Sequence, residues 1–552
     1  MSDVLNAAIS AHRAGDVDGA RSIALAGLVA APDDATLLHF IGMVEAKSGN
    51  LEAARSLFAR AVAASSAVGP ALVSLARLLD QAGDMAALAA LDLSAPAGAL
   101  GDEYLSLRGP ARAAIGDADG AAADHAELAA RNPGNRGVQL GAARALADAS
   151  RLEEAETIYR EVLARDPADA EALLGLVGIL ESLSRPLDLA GPIAAARQAG
   201  AAPPLLALGE AIALREVGDY VAALTALNTA YGLLPEAMFQ QMRGELADLA
   251  GDADRAFAAF SAMNAADLAA TPQAGEGVRQ YRIELAAQLQ SLDGLRRLPP
   301  PAGARAPPLF LVGFPRSGTT LLDTFLMGHQ DIRVHEERPF LDAAAAAGKG
   351  VIDRPMLDPA RLATMRAAYW RALDRETDAP AALQVDKNPL ASARAPLVAA
   401  LFPDARYIFA LRHPCDVVLS CFITRFRLNW AVASFLSVED AAVIYDRVMS
   451  LWAASCDTLG LEVHEVRYER LIAEPESVLR DVADFADIAF EPAMLDHRSV
   501  ARARGMISSP SHAQVTEPLY GRSVGRWQRY RAMLDPVLPL LAPWCRRFGY
   551  DL

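Results

Sequence analysis

The chain has 552 residues, 53% of them hydrophobic, and a net charge of −16, which is too long for one ordinary core when domains run to about 100–200 residues. The charge is uneven: residues 1–300 carry 38 Asp and Glu against 23 Lys and Arg, and residues 301–552 carry 30 against 29. An acidic first part excludes the clustered cations that nucleic acid requires, the four cysteines fit neither C-x-x-C nor zinc spacing, and no run approaches the roughly 18 uninterrupted apolar residues of a membrane span.

At the N-terminus, MSDVLNAAISAHRAGD has no basic start followed by an apolar core of signal-peptide length, so a soluble, cytoplasmic protein is expected. Small turn residues then recur every 33 or 34 positions: Gly15, Gly49, Gly83, Gly116, Ser150, Ser184, Gly218 and Gly251. Five positions after most of them stands an alanine (Ala20, Ala54, Ala121, Ala155, Ala223, Ala256), where two helices must approach closely. Prolines at Pro32, Pro133, Pro167 and Pro235 are placed to break a second helix before the next unit. The segment GNLEAARSLFARAVAAS predicts one such helix, with Leu51, Ala54, Leu57, Phe58 and Ala61 on one face. With this period the segment resembles tetratricopeptide (TPR) repeats, irregular around Gly83 and Ser184. Such arrays have a concave surface that binds a partner or a substrate, and they often pair, which allows a homodimer.

The repeat region is expected to occupy residues 1–294, followed by a proline-rich linker, LRRLPPPAGARAPP, at 295–308. From residue 309 to 552 the period changes. LFLVG, VDKNPL, ARYIFALRHP and EVHEVRYERL are strand-like runs separated by helical stretches, which predicts an α/β domain with a mainly parallel sheet. The fold class is therefore an all-α TPR superhelix followed by a P-loop-like α/β domain.

The first strand runs into GFPRSGTT, whose G-x-x-x-x-G spacing is that of a phosphate-cradling loop. Its backbone N–H groups and the N-terminus of the next helix converge on an anion. An NTPase adds a lysine and a carboxylate for Mg²⁺ at the end of another strand. Here Thr319 stands at the lysine position, Arg316 lies inside the turn, and the strand YIFAL ends in Arg412. A donor with a 5′-phosphosulfate and a separate 3′-phosphate, 3′-phosphoadenosine 5′-phosphosulfate (PAPS), resolves the mismatch. The first group suits the loop, and the second suits Arg412 with Ser420, eight residues on.

PRSGTT, then His329, then Glu336–Glu337, then DKNP, then R-H-P-x-D-x-x-x-S, with YERL and YGRSVGRW further on, resembles the PAPS-dependent sulfotransferases, above all the tyrosylprotein sulfotransferases and bacterial TPR-containing sulfotransferases. The resemblance implies that Arg316, Ser317, Gly318, Thr319 and Thr320 hold the 5′-phosphosulfate, that Arg412 and Ser420 bind the 3′-phosphate, and that Tyr468 lies near the adenine. Tyr520 and Ser523 are candidates in the late nucleotide-contacting loop, where Glu517 replaces the family's lysine. It further implies Glu337 as the general base toward an acceptor hydroxyl, with PAP as product and no metal. Lys387 and Arg316 would stabilise charge on the bridging oxygen and the moving group. The acceptor, whether protein tyrosine, carbohydrate or small molecule, stays open.

Bland alternatives stand beside these roles. Glu336 competes with Glu337, and the pair suits a solvated helix start or a partner for Arg338. His335 beside them suggests metal ligation only weakly, because consecutive residues seldom face one centre. Arg412 suits a structural ion pair, and Trp527 suits the core. For the whole chain the alternatives are an inactive TPR scaffold and a P-loop small-molecule kinase.

Overall fold

The computed structural model describes residues 2–65, 69–183, 185–293, 295–348, 358–376, 383–426, 428–429, 431–503, 519 and 521–552. The chain packs as two compact units, Met1–Ala230 and Tyr231–Leu552.

The first unit is built of helical hairpins such as Ala35–Lys47 with Leu51–Ala64 and Arg136–Asp148 with Leu152–Arg165. The recurring glycines have a backbone reason: Gly15, Gly49, Gly83, Gly116 and Gly218 all have φ between 69° and 86°, the left-handed region that reverses the chain between paired helices. Ser184 lies outside the described residues. Ala20, Ala54, Ala121, Ala155 and Ala223 are buried where the helices meet. In the two irregular units a leucine, Leu88 or Leu189, stands at that position, and the second helix is cut to Met85–Ala89 or replaced by a 3-10 turn and Ala190–Gln198. Ala54, Phe58 and Ala61 face inward as the pattern requires, whereas Leu51, at the first residue of its helix, is exposed.

Ser150 takes the glycine position with φ 62°. A side chain in that region is held against its steric preference. Ser150→Gly is therefore expected to stabilise the array by about 1 kcal/mol, read as a higher denaturation midpoint with an unchanged m-value.

In the second unit, five parallel strands, β1 (Leu309–Gly313), β2 (Ile332–Glu336), β3 (Leu383–Lys387), β4 (Arg406–Leu411) and β5 (Glu462–Arg467), form one sheet in the order β2-β3-β1-β4-β5. Strand β2, IRVHE, had no counterpart in the sequence-based prediction. Both faces of the sheet are covered, as a parallel sheet requires. Along β1, Leu309 and Leu311 join Leu322, Phe325 and Val385 on one face. Phe310 points to the other, within 6.4 Å ring-to-ring of Tyr369, Phe402 and Tyr407. Trp452, from the long helix Val438–Leu459, stacks on Phe409 at 4.8 Å on that second face.

The unit also takes in three helices that precede the proline-rich segment, Glu236–Leu249, Ala253–Ala270 and Ala274–Ser291. The turn between the first two is Gly251, with φ 82°. They are tied to the α/β layers by polar contacts. Asn264 donates to Phe422 O at 2.9 Å, Arg425 forms a fork on Asp267 with its shortest N···O at 2.9 Å, and Arg282 pairs with Asp440. The repeat region expected from the sequence runs to residue 294; packing divides the chain after Ala230.

Strand order fixes where a ligand can sit. The chain leaves β1 toward β2 and β4 toward β5, in opposite directions across the sheet. Between two such neighbours the carboxyl ends of the strands open a crevice.

Candidate functional site

That crevice is a cleft of about 760 Å³ counted out to solvent, lined by Arg316, Gly318, Thr319, Thr320 and Leu321 after β1, and by Arg412, Asp416, Leu419 and Ser420 after β4. Tyr468, Ile472, Leu519, Ser523 and Arg526 close it.

The loop geometry explains its residues. Gly318, with φ 96°, caps the helix Thr319–Leu326, and a Cβ there would fall 2.6 Å from Tyr468 Cδ2. Only glycine lets the tyrosine ring lie against the loop. Arg316 itself has φ 70°, and its Nε donates to Ser420 Oγ at 3.1 Å. That bond joins the two sequence blocks predicted to hold the two ends of one nucleotide.

Arg412 is 6% exposed, at the end of β4. It donates from Nη1 to Arg316 O at 3.1 Å and from Nη2 to Ser523 O, and its guanidinium lies 4.8 Å over the Tyr468 ring. These partners are carbonyls and a ring, not the carboxylate of a structural ion pair. Its Nε is buried with no hydrogen-bond partner among the described residues, an unusual state for a buried N–H.

Asp416 turns the other way. Its two oxygens accept from the backbone N–H groups of Gly525 at 2.7 Å and Trp527 at 2.8 Å. Burial raises its pKa, against the opposing pull of Arg412 and those N–H donors. Trp527 is 2% exposed and stacks on His413 at 5.0 Å, so it belongs to the core.

A second cluster lies one helical turn along from the cleft. Lys387, at the end of β3, is fully buried, with Nζ 3.0 Å from Glu336 Oε1, 3.0 Å from Glu337 Oε1 and 3.4 Å from Asp323 Oδ2. Asp323 stands four residues after Thr319 on the same helix, so its carboxylate and the Thr319 hydroxyl share a face. Burial pulls the Lys387 ammonium toward deprotonation, but the carboxylates outweigh it and leave its pKa above the ordinary lysine value. Glu337 continues from β2 with φ 49°, and its N–H donates to Lys387 O at 2.7 Å. Arg316 and Glu337 are two of only four non-glycine residues with positive φ among those described. Such conformations gather at functional sites.

Glu337 is half-exposed and Glu336 mostly covered, so the pair is not a solvated helix start. Arg338 pairs instead with Glu376 at 2.6 Å. His335 points away, its Nε2 2.7 Å from Gln384 Oε1, and His329 is held by Ala489 O at 2.9 Å.

Of the predicted residues, Arg316, Gly318, Thr319, Thr320, Arg412, Ser420, Tyr468 and Ser523 meet at the one cleft. Ser317 is buried in the turn behind it, its N–H on Phe314 O at 3.1 Å. Glu337 and Lys387 meet each other beside it. Tyr520 and Glu517 lie outside the described residues. Three site residues were missed by sequence reasoning: Asp323, Asp416 and Arg526. For Asp323 a signal existed, a lone charge in the otherwise uncharged helix TTLLDTFL.

Next to Lys387, Asp386 is buried in the opposite face of β3, with Tyr369 donating to Oδ2 at 2.7 Å while Oδ1 has no partner among the described residues. Burial pushes its pKa from 3.8 up to about 7. The folded state therefore keeps a proton that the unfolded chain has lost between those values, and stability falls as pH rises from about 4 to about 7. Asp386→Asn removes that dependence. It is expected to be more stable than the parent at pH 8 by about 1 kcal/mol, after the cost of its own unpaired amide, and to lose the advantage at pH 5. Thermal melts at the two pH values check this.

Residues 307–492 match the family model described as the sulfotransferase family, and residues 113–180 match that of the tetratricopeptide repeat. An uncharacterized protein of Aquifex aeolicus (strain VF5) is 27% identical over 253 residues, covering 42% of this chain and 32% of that protein. The chain thus spans about a third of that relative's length. Protein-tyrosine sulfotransferase 1 of Danio rerio is 26% identical over 260 residues, covering 44% of this chain and 72% of the other. Among solved structures, the sulfotransferase domain from the curacin biosynthetic pathway aligns at 19% identity over 45% of this chain and 100% of its own, with a TM-score of 0.33. A tetratricopeptide repeat protein from Parabacteroides merdae ATCC 43184 aligns at 15% identity over 45% of this chain and 97% of its own, with a TM-score of 0.23. Among the described residues no helix is long and apolar enough to cross a membrane.

Proposed function

We propose that this chain, which joins a TPR region to a domain of sulfotransferase type, transfers a sulfuryl group from PAPS to an acceptor hydroxyl. The observation that carries the reading is the Arg316–Ser420 contact, which puts the PRSGTT and RHPCDVVLS blocks on a single cleft. Arg316, Ser317, Gly318, Thr319 and Thr320 would hold the 5′-phosphosulfate. Arg412, with its spare Nε donor, and Ser420 would take the 3′-phosphate, and Tyr468 would face the base. Ser523 and Arg526 would complete the binding loop, with Tyr520 a candidate from the sequence alone.

PAPS supplies an activated sulfuryl group on its 5′-phosphate oxygen. Glu337 takes the proton of the acceptor O–H as that oxygen attacks sulfur. Lys387 and Arg316 offset the charge on the bridging oxygen as the S–O bond breaks and PAP departs. Asp323 and Glu336 keep Lys387 cationic when Glu337 becomes protonated and releases it. The acceptor of the Danio rerio relative is, by its name, protein tyrosine, and carbohydrate and small-molecule hydroxyls offer the same chemistry. The TPR region would bind that substrate or a partner protein.

Heat protection separates the readings. 3′,5′-Adenosine bisphosphate should raise the melting temperature with or without EDTA, and Mg·ATP should not. Protection by Mg·ATP alone would indicate a kinase, and protection by neither an inactive scaffold. Incubation with labelled PAPS and a cell extract then identifies the acceptor.

A further inference from the structure

Asp248, the penultimate residue of the helix Glu236–Leu249, belongs to none of the motifs above and lies outside the segment that matches the sulfotransferase family. It is 8% exposed. Its carboxylate receives Arg526 Nη2 at 2.8 Å, Arg529 Nη2 at 2.9 Å and the Tyr530 hydroxyl at 2.5 Å. Arg529 also donates from Nη1 to Asp248 O at 3.0 Å. Arg526 lines the cleft at the same time.

The strap Gly521–Tyr530 is thus bolted at three points. Arg412 holds it at Ser523 O, Asp416 at the N–H groups of Gly525 and Trp527, and Asp248 at Arg526, Arg529 and Tyr530. The first two anchors come from the end of β4 and its following helix. The third comes from a helix of the repeat-like region.

We propose that Asp248 is a positioning residue for donor binding, which presents Arg526 to the anion in the cleft in a fixed orientation. Two effects compete. A carboxylate near an anion site weakens the attraction, whereas a guanidinium held by a charge-assisted fork has less freedom to lose when a ligand arrives. Asp248 is shared among two guanidiniums and a hydroxyl, so the cations around it exceed its own charge and the field at the cleft stays positive. Without it, Arg526 and Arg529 repel each other, and Arg526 is free to leave the cleft wall. The orienting effect wins. This inference rests on the reading of the cleft as the PAPS site.

The test titrates 3′,5′-adenosine bisphosphate into the full chain by calorimetry, with the parent, Asp248→Asn, Arg526→Ala and the double variant. No binding by the parent refutes the PAPS reading itself. With the parent binding, Asp248→Asn is expected to weaken the affinity about 5–10-fold, and the double variant to be no weaker than Arg526→Ala. In turnover, KM for PAPS should rise while kcat at saturation is retained, a split that general loss of structure does not produce. Equal or tighter binding by Asp248→Asn, additive losses in the double variant, or unchanged binding by Arg526→Ala overturns the proposal. If Asp248→Asn does not melt cooperatively, Asp248→Glu, which keeps the charge but displaces the fork, takes its place with the same outcomes deciding.

Discussion

Glu337→Gln should lower kcat by about 10²–10⁴-fold, the usual worth of a positioned general base, while affinity for 3′,5′-adenosine bisphosphate stays within about two-fold of the parent. The split follows from geometry: Glu337 is not among the residues that line the nucleotide cleft, and its side chain is 45% exposed. Stability should hardly move. Lys387 keeps Glu336 and Asp323, and the ion pair lost is half in water, where such pairs contribute about 0–1 kcal/mol. Glu336→Gln is the matched control. Its side chain is 13% exposed and shares the same ammonium, so it should cost more stability and much less rate. Turnover unaffected by Glu337→Gln, or a larger kcat loss in Glu336→Gln, would transfer the base to the neighbour or to the acceptor itself.

Lys387→Met should fail in two ways at once. Removal of one preorganised cation from a developing charge costs about 10²–10³-fold in kcat. It also takes the buried ammonium away from Asp323, itself fully buried, and from Glu336, and breaking a buried pair from one side costs about 3–5 kcal/mol. For a unit of this size that corresponds to a fall in Tm of roughly 4–8 °C. A second variant separates the two losses. Asp323→Asn in the Lys387→Met background removes one of the buried charges that Lys387 offsets, so Tm should recover in part while kcat stays down. Recovery of both together would make Lys387 a structural residue only.

Much of this site is written locally. The turn glycines recur because a hairpin of helices needs a left-handed residue at a fixed interval, and GFPRSGTT announces an anion loop because Gly318 alone tolerates Tyr468 against it. Arg412 and Ser420 were legible for the same reason, since eight residues on a strand-to-helix turn place both at one end of the sheet. What stayed hidden depends on contacts distant in sequence. Nothing near Asp248 shows that Arg526, 278 residues later, will reach it. Asp416 was visible only as the D of a motif, because its partners are main-chain N–H groups. IRVHE, with two apolar residues in five, does not announce itself as β2, yet that strand delivers Glu337 to Lys387. The sequence also separates repeat-like from non-repeat residues at 294 without showing what the last helices pack against, because periodicity defines a helix and not its neighbour.

The three helices that join the sheet unit decide how the polypeptide can be dissected. Severing it in the proline-rich stretch, the obvious place for a protein engineer to cut, would deprive Arg425, Arg526, Arg529 and Tyr530 of the carboxylates they grip and uncover Phe422, whose ring stacks on Phe257 at 4.8 Å. A fragment beginning at Tyr231 carries all of those partners with it.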